Sequence, residues 1–237
     1  MKTLLIFFSL FLMTCNLGTG PADENAGPII PLAVGNYWVY QQYSLNNDGS
    51  VSFAVEDLRG YKITDILSVS LNGGNQKTFK YTRYAPGGDP YSEAKLIYNG
   101  KEGIYYAGIT DKDTIKMLFN DLMFKYPANK GDETTAHTFY YYIFGNLDNI
   151  PDSIVTTYTC VSTDSLFSTP VGDFRCIVYK LKLMLDNIFY LGDVYYFFKP
   201  GLGLVGIIYM TYSYISNEHY YFLKTVLVDY KVKWGKL

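Results

Sequence analysis

The sequence has few of the residues that most often carry chemistry. Its 237 residues include two histidines, two tryptophans and three cysteines. A serine triad needs a histidine between a nucleophile and an orienting carboxylate, and no G-x-S-x-G elbow occurs. His137 and His219 both sit in aromatic, strand-like sequence, which points to strand-surface positions. Zinc chemistry needs H-E-x-x-H, closely spaced cysteines or a histidine cluster, and none is there. The acidic turns "NNDG" (46–49) and "DKD" (111–113) do not fill a twelve-position calcium loop. The expectation is therefore a non-enzyme with no metal, no cofactor and no catalytic residue. A glycosidase-like carboxylate pair needs no motif, so a hydrolase with a dispersed site ranks last among the function classes without dropping out.

An excess of charge is also missing. Twenty basic residues against 22 acidic ones give a net charge of −2, and the basic residues are scattered. Nucleic acid needs a basic stripe to neutralise phosphates, so that partner is excluded. The amino terminus lacks a run long enough to span a membrane. Leu4–Met13, interrupted only by Ser9, would reach about 15 Å as a helix, half of a roughly 30 Å bilayer core. With Lys2 before it, this is a secretory signal covering residues 1–14.

Apolar and aromatic residues are plentiful. Hydrophobic residues make up 49%, enough for a core, and tyrosine leads the aromatics with 25 copies. Tyrosine suits a pleated surface, where its ring packs and its hydroxyl reaches water. From Ile29 onward, aromatic and β-branched runs alternate with turn clusters. "NNDG", "NGGN" (72–75) and Asn99-Gly100 mark hairpins, and Pro200-Gly201 breaks a long apolar run. The expected fold is all-β, an antiparallel meander of about a dozen strands in one domain over 29–237. Such a sheet curls into a curved open sheet, a half-barrel or a barrel. Residues 111–125 satisfy helical and strand spacing equally, so one or two short helices are allowed. There is no long exact repeat.

Leu12-Met13-Thr14-Cys15 resembles the lipobox of bacterial lipoproteins, in which a leucine stands three residues before an obligatory cysteine. The resemblance implies that Cys15 is acylated and becomes the mature amino terminus, although Thr14 replaces the usual small residue. Residues 15–28 then form the lipidated cysteine and a Gly/Pro-rich tether. By the sorting rules of such lipoproteins, Asn16 rather than aspartate favours the outer membrane, with periplasmic or surface display left open; Asp23-Glu24 lies far from Cys15 for an export signal.

Four further segments resemble, in order, the signature of a group of uncharacterised bacterial lipoproteins: "PLAVGNYWVY" (31–40), "FKYPANKGDE" (124–133), "STPVGDFRCIVYK" (168–180) and "YYFFKPGLGLVGI" (195–207). Lys199 and Leu202 depart from that pattern. The resemblance implies a curved antiparallel sheet similar to lipoprotein-carrier domains, in a cell-envelope protein. It implies no activity. Trp38 is expected to plug the core, Gly201 and Gly203 to allow a tight turn, and Gly131-Asp132 to be a turn.

Cys160 and Cys176 lie on strand-like segments either side of "DSLFSTPVG". A hairpin turning about Ser168 would set them opposite each other, within reach of a disulfide; the alternative is two free buried thiols. The functional expectation is an envelope lipoprotein that binds an apolar or amphiphilic ligand, or an envelope protein partner, with a curved sheet. The alternative is a surface adhesion or glycan-binding module with tyrosines on one exposed face.

Overall fold

The computed structural model describes residues 27–237 except 113, 139–153, 186–188, 214, 215, 217 and 234–237. The signal, Cys15 and most of the tether lie outside the described residues. Twelve strands among them form a single antiparallel sheet: β1 Tyr37–Leu45, β2 Val51–Leu71, β3 Gly74–Tyr84, β4 Pro90–Gly100, β5 Gly103–Asp111, β6 Thr114–Lys125, β7 Glu133–Thr138, β8 Ile154–Thr169, β9 Gly172–Leu185, β10 Phe189–Lys199, β11 Gly203–Ser213 and β12 Glu218–Lys231. Each strand pairs with its sequence neighbours, and β1 pairs with β12. The ladder is interrupted only between β6 and β7, where Thr134 Oγ1 donates to the Met123 carbonyl across 2.6 Å. The result is a nearly closed barrel. The expected all-β meander is what forms, and the ambiguous segment 111–125 supplies strand β6, not a helix. No described helix is long and apolar enough to cross a membrane.

The turns behave as their residues dictate. Asn72 and Gly73 take φ of 50° and 82°, the left-handed pair that a two-residue hairpin demands. Gly201 and Gly203 are also left-handed, at 80° and 102°. "VSFAVED" and "YKITDILSVSL", which Gly60 separates as a turn would, both belong to the 21-residue β2. Gly60 between them is no turn; a Cβ there would strike the Tyr84 ring, so this glycine makes room for a side chain.

Packing inside the barrel accounts for the aromatic composition. Trp38 is 1% exposed, tilted against Tyr81 at 6.0 Å, and donates from Nε1 to the Leu202 carbonyl at 2.7 Å. Phe124 lies among Tyr158, Tyr179, Tyr196 and Phe198, all within 5.7 Å between ring centroids. A twelve-stranded barrel has a wide interior, and large rings fill it with few residues. Residues 27–36 close the end where the chain enters, here called the proximal end. Ile29, Ile30 and Leu32 are buried there, Gly201 N donates to the Pro28 carbonyl (2.9 Å), and Asn99 Nδ2 to that of Ile30 (3.1 Å).

The structure also contains an internal repeat. Among the described residues, β1–β6 and β7–β12 form two six-stranded meanders, each with its longest strand second. Gly35 N donates to Ile63 O (2.8 Å) and Ile63 N to Asn36 O (2.9 Å). In the second half Gly131 N donates to Cys160 O (2.7 Å) and Cys160 N to Asp132 O (2.8 Å). Both glycines are left-handed, with φ of 92° and 94°. A register shift follows at Ile63/Asp65 and again at Cys160/Ser162. Beyond these bulges each long hairpin folds its tip onto the outer face of the next. Leu67, Val69 and Leu71 cover Leu96, Tyr98 and Ala107, while Phe167 lies tilted against Phe197 at 4.3 Å beside Gly206.

The disulfide expectation is corrected here. Cys160 and Cys176 are both free and buried. The β8/β9 turn falls between Thr169 and Gly172, not at Ser168, and two bulges shift the register so that Cys160 faces Tyr179 and Cys176 faces Ser165. Cys160 shares the inner face with Tyr179, and Cys176 looks outward. Burial pushes their thiols up to about 11 and about 12. Unfolded thiols ionise near 9, so the stability held by these buried neutral thiols is full below pH 9 and lost as pH rises from 9 toward 12. Native protein should therefore resist a thiol-specific disulfide reagent at pH 8 and release two thiol equivalents from the mature body once unfolded in urea. Rapid reaction of the folded protein would contradict the burial.

Candidate functional site

The inner wall changes character along the barrel. Toward the distal end, opposite residues 27–36, the rings become part-exposed. Pairing fixes who faces inward: Tyr40 stands opposite Arg59, Trp38 opposite Tyr61, Tyr61 opposite Arg83, and Tyr81 opposite Lys95. From the other wall, Val194 stands opposite Tyr209 and Tyr196 opposite Ile207. Tyr61 stacks on Tyr81 at 5.1 Å and meets Tyr40 edge-on at 5.9 Å. Tyr61, Tyr81, Tyr196 and Tyr209 retain partial accessibility, although burial raises all four phenols, that of Tyr209 to about 12. Part-exposed rings with desolvated phenols are shielded from water by their neighbours rather than standing free on the surface.

Two arginines belong to this wall. Arg59 Nε is buried with no hydrogen-bond partner, an arrangement that costs about 1–3 kcal/mol when nothing compensates it. Arg83 stands over the Tyr91 ring at 5.4 Å. Neither has a carboxylate partner among the described residues. Both lower the Tyr61 phenol against its burial, and Arg59 does the same at Tyr209, so the arginines and phenols share one field. Burial also lowers Lys95, against the opposing charge of Glu93.

A depression of about 350 Å³ lies at the same end, lined by Ser92, Glu93, Ile109, Asp111 and Lys116. It sets Glu93 opposite Asp111 across β4 and β5, the smallest arrangement that a dispersed-carboxylate hydrolase would require. Both carboxylates are only half-buried, whereas a general acid is made by lifting a carboxyl out of water. The pair gives that reading no further support.

The residues singled out from sequence fall elsewhere. Trp38 plugs the proximal core as expected. "NNDG" is a turn, with Asp48 accepting from Ser50 N (2.9 Å) and Oγ (2.6 Å), and Gly131-Asp132 is another. His219 is exposed on β12, edge-on to Tyr212 at 5.1 Å, and His137 lies on β7 opposite Val155. No group of three or more potential metal ligands occurs among the described residues. Among the described residues, the exposed tyrosines Tyr91, Tyr221 and Tyr230 stand on β4 and toward the two ends of β12. Sequence reasoning missed Arg59 and Arg83. The available signal was a basic residue in phase with inward tyrosines, as in Arg59-x-Tyr61 and Tyr81-x-Arg83.

No protein-family profile matches the chain, and no curated protein matches it. Among solved structures, it is similar to one described as a "putative lipoprotein" from Parabacteroides distasonis, at 16% identity and a TM-score of 0.42, covering 86% of this chain and 99% of that one. It is also similar to one described as a "putative exported protein with YmcC-like fold" from Bacteroides fragilis, at 16% identity and a TM-score of 0.43, covering 85% and 98%.

Proposed function

We propose that this protein is a non-catalytic cell-envelope lipoprotein that holds an apolar or amphiphilic ligand against the distal inner wall of its barrel. The observation that carries this reading is the contrast along the barrel. A dry, ring-filled core closes the proximal end, and a desolvated but part-exposed aromatic wall lies beyond it. Concave, mostly aromatic surfaces with a few convergent polar groups are the usual form of small-molecule sites. Acylation of Cys15, with residues 16–26 as a tether of at most about 40 Å, would attach the barrel by its proximal end to the outer membrane. The distal end would then face away from the anchoring bilayer.

The test uses the mature domain purified without detergent, then stripped of bound lipid by solvent exchange. N-phenyl-1-naphthylamine, an uncharged apolar fluorophore, is expected to bind with one-to-one stoichiometry and to be displaced by a lipid extract. The substitution Ile207→Lys on the distal wall should weaken it at least tenfold. Absence of binding, together with no co-purifying lipid by native mass spectrometry, would overturn the reading in favour of a contact scaffold.

A further inference from the structure

We propose that Arg59 and Arg83, on either side of Tyr61, form a recognition site for the anionic head, carboxylate or phosphate, of an amphiphile whose hydrocarbon lies against Tyr196, Ile207 and Tyr209. The inference rests on the ligand-binding reading above and names the ligand's polar chemistry.

Three observations carry it. Inward-facing arginines in a folded protein ordinarily find carboxylates or carbonyls, because the guanidinium brings five donors that water must otherwise satisfy. Here, among the described residues, the Nε of Arg59 is buried without an acceptor, and Arg83 stands over the Tyr91 face with no carboxylate partner. Pairing then sets both arginines beside one ring. Arg59 is two residues before Tyr61 on the same face of β2, and Arg83 is directly opposite Tyr61 on β3. Two forks beside one phenol can take up a carboxylate or phosphate bidentately, which a lone lysine cannot do. Finally, the described residues Val194, Tyr196, Ile207 and Tyr209, which share one face of β10 and β11, are all uncharged. A cationic strip facing an aromatic and aliphatic wall is complementary to a molecule with one charged end. On β4, Lys95 is opposite Tyr81, and Arg83 falls opposite the 91–93 stretch that carries Glu93, which in turn pairs with Asp111 on β5.

The test compares ligands that share one chain length. Lauric acid, dodecyl phosphate, 1-dodecanol and inorganic phosphate are titrated into the delipidated domain at low salt, with tyrosine fluorescence and calorimetry as readouts. Both charged amphiphiles are expected to bind at least 30-fold more tightly than dodecanol. Arg59→Gln should lower their affinity at least tenfold while leaving dodecanol within twofold, which also shows that the variant is folded. Arg59→Lys should restore part of the loss, and Arg59→Gln with Arg83→Gln should remove the preference for charge. If laurate and dodecanol bind equally, head recognition is overturned and the apolar-ligand reading survives. If no dodecyl compound binds, both fall. If inorganic phosphate binds as tightly as dodecyl phosphate, the arginine site stands and the amphiphile is overturned.

Discussion

Replacing Trp38 by alanine is expected to destabilise the domain by about 3–5 kcal/mol, a large share of the roughly 5–15 kcal/mol that holds a typical domain folded. Three losses coincide at this position. The indole is almost wholly buried, so its removal leaves a cavity where residues 27–36, β1 and the β10/β11 turn converge. The Leu202 carbonyl loses its 2.7 Å donor in a dry setting. Gly203 also depends on the indole, since the open space at its α-carbon is filled by the Trp38 ring, 3.4 Å from where a Cβ would sit. Urea unfolding of mature domains should show the midpoint falling by more than about 1 M. Trp38→Phe keeps a ring and loses the donor, and should cost about 1–3 kcal/mol. A loss below about 1 kcal/mol for the alanine variant would mean that the proximal plug is not the centre of the core.

The sequence discloses the class of fold through local chemistry and conceals what depends on distant strands. Hairpins at Asn72-Gly73 and Pro200-Gly201 were legible because left-handed φ and the missing proline N–H act within a few residues. The length of β2 was not. Gly60 has the look of a turn, and only the Tyr84 ring across the β2/β3 ladder reveals it as a space. The cysteine pairing failed for a related reason. Two bulges between Cys160 and Ser165 insert residues into one strand only, and no turn rule counts them. Trp38 could be assigned to the core because a large aromatic at a strand start rarely has another use. Arg59 and Arg83 stayed hidden, because inwardness is a property of register, and register is set by the whole barrel.

The internal repeat leads to the second large effect. Asn36 and Asp132 occupy equivalent places, each following a left-handed glycine and receiving the same backbone bond from β2 or β8. Their side chains do different work. Asn36 is fully buried, donates from Nδ2 to the carbonyls of Pro31 (2.8 Å) and Lys233 (3.0 Å), and accepts from Lys233 N at 2.7 Å. It clasps the chain beyond β12 to the start of β1, where the barrel is laddered shut. Asp132 retains 22% side-chain exposure, accepts from Asn129 N at 2.8 Å and pairs with Lys125 at 3.1 Å. The Asn129 amide, then Lys125, holds its carboxyl below the usual range. Asn36→Ala removes three hydrogen bonds, one of them to the buried Pro31 carbonyl, and should cost about 2–4 kcal/mol. Asp132→Ala exposes its partners to water and should stay within about 1 kcal/mol. Urea midpoints for the two variants, with hydrogen exchange of the β1/β12 amides, check the contrast. Equal losses would mean that the β6/β7 seam bears as much load as the laddered closure. Faster β1/β12 exchange in Asn36→Ala alone would place the strength of the barrel where the two ends of the chain meet.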